Sequence, residues 1–173
     1  MPFTPVVCGT LALLCTIAFS NAAEEKFHRQ LLDATHNYLI QKAEKVAHRL
    51  DSDRFQVRIQ PLKKQIRLPA CQLPLDIKDI TQSDYGAQHL EVSCTGHWKQ
   101  PVKGRIQVFL PMIASTRSIG VNRVIKETDI QWLSKDISTL AGGYYTQPEQ
   151  VLGKRAKTVI KAGSTIDQKM IFH

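Results

Sequence analysis

The side chains of this sequence best suited to chemistry are two cysteines, Cys71 and Cys94, a histidine three places beyond the second, and a scatter of carboxylates. A thiol pair 23 positions apart can close a disulfide. The loop-entropy model gives such a bridge roughly 3 kcal/mol. Cys71, Cys94 and His97 could instead begin a metal site. A tetrahedral site needs a fourth ligand, and none is evident in the spacing. His28, His36 and His48 share one stretch, but no HExxH motif joins them, so they read as solvated or boundary side chains. Asp51 with Asp53, and Asp76 with Asp79, are carboxylate pairs of the kind general acid–base catalysis uses. Such pairs also arise by chance in turn-rich chains.

The other catalytic signatures fail on particular residues. No GxSxG, CxxC or GxGxxG occurs. Gly153-Lys154 has Pro148 where a phosphate loop needs its first glycine, and Arg155 where it needs Ser or Thr. The residues therefore point to binding rather than catalysis, with no cofactor. A hydrolase with an unrecognised site is the enzymatic alternative.

Charge and the N-terminus narrow the partner. The chain of 173 residues is 43% hydrophobic, enough for a core in one or two small domains, and carries a net charge of +8. That charge suits an anionic partner, or simply a soluble basic protein. Pro5 to Phe19 is apolar and uncharged, and Ser20-Asn21-Ala22 offers the small residues of a cleavage site. Residues 1–22 thus read as a secretory signal, although no Lys or Arg precedes the apolar run. An uncleaved membrane anchor is the alternative; after cleavage no stable span remains. Export takes nucleic acid away as the natural partner. It also favours the disulfide, because two of the four cysteines leave with the signal and an even pair stays in an oxidising compartment.

These residues must be positioned by a mainly β, α+β chain. Leu32, Leu39, Ala43, Val46 and Leu50 form a helical stripe and predict a helix over Glu24–Leu50. Phe55–Gln60, His89–Cys94 and Gly104–Ile113 alternate as strands, with Pro111 suited to an edge or a strand end. Between them lies a loop from Pro61 to Pro74, basic at Lys63, Lys64 and Arg67, and a turn at Ser83–Gly86. Trp98 reads as packing. The second half has strand-like runs at Val124–Ile125, Asp129–Leu133 and Lys157–Ile160, with Gly153 and Gly163 as punctuation. The domains expected are the signal over 1–22, an N-terminal helix with a small disulfide-tied antiparallel sheet over 23–114, and a β module over 115–173.

Two features carry a resemblance. One is Leu68-Pro69-Ala70-Cys71 with a strand ending at Cys94, then Gly96 and Trp98. The other is the order Arg117-Ser118-Ile119, Val124-Ile125, Asp129-Ile130, Asp136-Ile137-Ser138, Tyr144, Pro148, Val151-Leu152-Gly153-Lys154-Arg155 and Ile160-Lys161-Ala162-Gly163. Together they resemble the FlgA family of flagellar basal-body P-ring formation proteins, whose central module is the SAF-type β-clip. The resemblance implies a periplasmic chaperone that binds the P-ring subunit before polymerisation, in the neighbourhood of peptidoglycan. It implies neither catalysis nor a cofactor. It places the disulfide on Cys71 and Cys94. Where the family has glycine in the first clip hairpin, this chain has Asn122, the next best residue for a left-handed turn. The family continues for several strands beyond Ile166, so the β-clip reads as incomplete and the chain as C-terminally truncated. Arg117, Lys154, Arg155 and Lys161 are candidate partner-binding cations by clustering, against the alternative of a solvated basic face. The competing functions are an SAF-type pilus assembly protein and a basic cell-wall or glycan-binding module, with Trp98 or Trp132 as stacking platforms.

Overall fold

A computed structural model describes residues 12–62, 66 and 68–172, with side chains described from residue 24 onward. The expected signal therefore lies largely outside what is described, as do Lys63, Lys64 and Arg67 of the basic loop. Among the described residues no helix is long and apolar enough to cross a membrane.

The described residues form one long helix, α1 (Ala12–Arg49), and five strands: β1 (Arg54–Ile59), β2 (Asp76–Asp79), β3 (Gly86–Cys94), β4 (Trp98–Ser115) and β5 (Ile130–Asp136). All the strand pairs are antiparallel, in the order β1-β4-β3-β2, with β5 also on β4. The α+β, mainly β architecture agrees with the sequence reading. The helix begins well before Glu24, because residues 12–23 are rich in helix-forming Ala and Leu. Its buried stripe also differs. Phe27, Leu31, Thr35, Leu39, Ala43 and Ala47 step by four, with Val46 beside them, whereas Leu32 is exposed. Thr35 tolerates burial because its hydroxyl donates to the Leu31 carbonyl.

The helix packs across the sheet at Gly104, where a β-carbon would stand 2.6 Å from Leu39 Cδ1. Leu90, Ile106, Val108, Leu110 and Met112 face Leu39, Ala43 and Val46 in one core. A second cluster joins Phe27 and Leu31 to Val92, Val102, Trp98 and the Cys71–Cys94 disulfide. There Phe27 meets Trp98 edge-on at 5.2 Å, and the indole donates to the Pro69 carbonyl. Gln30 of the helix bonds both the N–H and the carbonyl of Cys71. The bridge, with its Cα atoms 5.7 Å apart, thus pins the loop before β2 to β3 and to the helix.

β4 joins the two halves of the molecule. From Val102 to Leu110 it buries every second residue, but Met112 to Ser115 are all buried. Met112 belongs to the helix-covered core, while Ile113 belongs to a third cluster with Ile119, Ile125, Tyr145, Val151, Ala156, Ile160, Ile166 and Ile171. Pro111 stands inside this 18-residue strand rather than at its end. It is tolerated because β1 stops pairing at Phe109, and the next bond on that side is from the Ile113 N–H to the Tyr145 carbonyl.

Asp76–Asp79, which the sequence does not mark as a strand, forms edge strand β2, too short for an alternation signal. One further expectation is corrected. The runs at Val124–Ile125 and Lys157–Ile160 are not strands. They make isolated bridges, Val124 to Arg155 and Ile119 to Ile160, because turns at Asn122, Gly153 and Gly163 interrupt them. Asn122 adopts φ 62°, the left-handed conformation expected of it.

Candidate functional site

The stretch from Arg117 to Asp136 presents two adjoining features, a basic loop and an open strand edge. The loop begins where Thr116 donates its N–H to the Asp129 carbonyl, which fixes the start of β5 beside the end of β4. Asp129 is buried and receives three donors. Arg117 Nε and Nη2 both reach Oδ1 at 2.6 Å, and the Lys126 N–H reaches Oδ2 at 3.0 Å. The Lys126 N–H bond, then Arg117, hold the carboxyl below its ordinary value against the opposing effect of burial. Arg117, Ser118, Gly120, Arg123, Val124, Lys126 and Asp129 line an open cavity of about 360 Å³.

The strand edge follows from hydrogen-bond alternation. Ile113 and Ser115 turn their N–H groups to Tyr145 and Ser164, away from β5. The residues between them therefore face β5, and Gln131, Leu133 and Lys135 complete that ladder. Trp132 and Ser134 then direct their N–H and carbonyl groups outward, where no described strand pairs with them. The Trp132 ring is 55% exposed. The other outer strands carry charge: Arg54 and Arg58 are exposed on β1, and Asp76 and Lys78 on β2. Such charges blunt unwanted edge pairing. The exposed positions of β5, Gln131, Trp132 and Ser134, are uncharged.

Below the edge, Asp136 closes the strand. Its carboxylate accepts from Gln107 Nε2 and from the Ser138 N–H and hydroxyl. Burial opposes its ionisation, but these bonds outweigh it and lower its pKa.

The four candidate cations lie along one irregular antiparallel pair, residues 117–125 against 154–161. Arg117 and Lys161 stand toward one end, Lys154 and Arg155 toward the other. They do different things. Arg117 is committed to Asp129, Arg155 donates to the Asn122 carbonyl, and Lys154 lies 6.0 Å from the Tyr145 ring centre. Lys161 contributes its carbonyl, which accepts from the hydroxyls of Ser115 and Ser164. The cavity takes in Arg117 but none of the other three; its remaining cations, Arg123 and Lys126, were not singled out in the sequence. Adjacency to Asn122 could have found Arg123. Nothing in the sequence pairs Lys126 with Arg117, because the buried Asp129 joins them only in space.

Other sequence candidates resolve as structural groups. Both sulfurs of the Cys71, Cys94 and His97 arrangement are consumed in the disulfide, which leaves no thiolate for a metal. Asp76 and Asp79 point to opposite faces of β2. Asp79 is instead a latch to the helix. Burial raises its pKa, but hydrogen bonds from Lys42 and Thr81 prevail and lower it. Trp98 is buried and serves packing, so it offers no stacking platform.

Residues 110–173 match the family model described as "Chaperone for flagella basal body P-ring formation". Over this segment the chain is similar to that chaperone family. The matched segment contains the end of β4, the basic loop and the whole of β5. Three solved structures share the fold: Salmonella FlgA in closed form (TM-score 0.51), Salmonella FlgA in open form (0.51) and the flagellar protein FlgA from Thermotoga maritima MSB8 (0.52), each at 14% identity. They are covered over 69%, 63% and 51% of their own lengths, by 79%, 78% and 81% of this chain respectively. At that identity the likeness speaks for the fold alone. No curated protein sequence matches the chain.

Proposed function

We propose that the protein is a periplasmic, non-enzymatic chaperone that binds the flagellar P-ring subunit before the subunit polymerises. The family match over residues 110–173 supports this reading. In it, residues 23–114 form the supporting unit and residues 115–173 the SAF-like β-clip that holds the partner. The mechanism is β-strand addition. An extended strand of the subunit pairs with the outward N–H and carbonyl groups of Trp132 and Ser134, and an apolar side chain of the subunit covers the Trp132 ring. Occupying that strand blocks its use in ring closure. The disulfide and the Gln30 clamp keep the sheet that carries β4 rigid, so β5 is presented in one geometry. Export by a leader within residues 1–22 brings the chain to the subunit, with peptidoglycan nearby.

Calorimetric titration of purified P-ring subunit into the full chain tests this. A micromolar complex is expected. Ser134→Pro, which deletes an outward N–H, and Trp132→Ala should each weaken it at least about tenfold, the loss of roughly 1.4 kcal/mol. No complex with the unaltered chain sinks the chaperone reading. A complex indifferent to both substitutions sinks the strand-addition mechanism. Salt-sensitive sedimentation with peptidoglycan and no subunit binding would favour a wall-binding module instead.

A further inference from the structure

We propose that the Arg117–Lys126 cavity is a carboxylate-binding pocket that receives an acidic side chain of the peptide docking along β5. This rests on reading β5 as the docking strand. Three observations carry it.

The first is charge. Arg117, Arg123 and Lys126 line the cavity, with Asp129 as its one anion. Both oxygens of Asp129 are already occupied, by Arg117 and by the Lys126 N–H. The carboxylate therefore faces inward as a brace. It fixes the Arg117 guanidinium by Nε and Nη2, so Nη1 keeps both of its hydrogens for a ligand. No ion pair or side-chain hydrogen bond engages Arg123 or the Lys126 ammonium among the described residues. The second is shape. The cavity, about 360 Å³, has apolar wall at Ile119 and Val124 beside its cations, and the bare backbone of Gly120 at its rim. A side chain with a methylene stem and an anionic head fits that mixture better than a bare phosphate, whose whole surface is polar. The third is continuity. Asp129 lines the cavity and immediately precedes β5, so the cavity adjoins the end of the strand that carries Trp132 and Ser134. An Asp or Glu placed there would be held by a preorganised guanidinium and two further cations, the pairing in which charge-assisted bonds are strong.

The recognised chemistry is thus an extended peptide that is apolar opposite Trp132 and acidic at its end. The test uses the full chain, isotopically labelled, followed by amide chemical shifts. A six-residue glutamate peptide is the probe; a six-residue glutamine peptide and inorganic phosphate are the comparisons. Shifts centred on residues 117–126 are expected with the glutamate peptide alone. They should weaken at least about tenfold in Arg123→Gln with Lys126→Gln, and they should shrink as salt is raised. Lys157→Gln with Lys169→Gln, both exposed and outside the cavity lining, should leave them unchanged. Equal response to phosphate, spread over all exposed lysines, or persistence in the Arg123/Lys126 variant each overturns the pocket. Subunit titration separates this from the strand reading. Loss of subunit binding in the Trp132 and Ser134 variants, with none in the Arg123/Lys126 variant and no glutamate response, would sink the pocket and spare the edge. A glutamate response at 117–126 in a chain that binds no subunit would keep the pocket and sink the edge.

Discussion

The two halves of this molecule solve the same problem by different means. Before Met112 the backbone is satisfied by long regular ladders. β3 and β4 stay in register from Gly86–Ile106 to Cys94–Trp98, and β1 and β4 from Arg54–Phe109 to Ile59–Gly104. A helix covers one face and a disulfide ties the loop. After Ser115 the chain keeps the β5 ladder on β4, but elsewhere it reverses at left-handed Asn122, Gly143, Gly153 and Gly163, and single bridges replace ladders. What holds it is a cluster of isoleucines, at 113, 119, 125, 160, 166 and 171, with stiff β-branched side chains. The regular half fixes β4 in space. The irregular half can then leave one strand edge and one basic loop unpaired without losing its shape.

If the halves differ in what holds them, they should fail differently. Ile166→Ala, at a fully buried site, should cost about 2–5 kcal/mol by urea unfolding. Hydrogen exchange should show protection lost at Ile113, Ser115 and Ile119 while β3 retains it; equal loss in β3 would mean that the halves unfold as one. Cys71→Ser with Cys94→Ser should cost about 3 kcal/mol, with exchange now rising around Gln30, β2 and β3. Gly104→Ala puts a methyl group against Leu39 and the Arg58 carbonyl and should cost about 1–3 kcal/mol, again on the helix side.

Acid sharpens the comparison, because each half has its own depressed carboxylates, Asp79 in one and Asp129 with Asp136 in the other. Their folded pKa values lie below the unfolded value of about 3.9. The stability they contribute is therefore present above that value and is lost as pH falls through the folded ones. Asp129→Asn should cost about 1–3 kcal/mol at pH 7, through lost charge-assisted bonds. Its melting temperature should converge on that of the unaltered chain as pH drops toward 3; a constant gap would refute the assignment. The smallest effect is expected at Tyr145, whose buried hydroxyl has no hydrogen-bond partner among the described residues. Tyr145→Phe should shift stability by no more than about 0.5 kcal/mol, in either direction.

Much of the regular half was legible in the residues. Alternation at Leu90, Val92 and Cys94 marks one buried face of β3, and the cysteine pair 23 positions apart marks the bridge. The helix stripe was legible at Leu39, Ala43 and Val46 but not at its start, because period alone does not tell which of the neighbouring Leu31 and Leu32 meets the sheet. The irregular half was legible mainly as an order of short motifs. Of its strand-like runs, Asp129–Leu133 ladders as β5, but turns keep Val124–Ile125 and Lys157–Ile160 to single bridges.

By itself the sequence determined the α+β class, the left-handed turn at Asn122 and the paired cysteines. These depend on side-chain type and near neighbours, which the chain carries with it. Only the tertiary structure decided that Pro111 could lie within β4, that Trp98 is packing while Trp132 is exposed, and that Arg117, Arg123 and Lys126 share one cavity around Asp129. Each of those depends on which distant segment fills the space on one side of a strand, and local spacing holds no record of that.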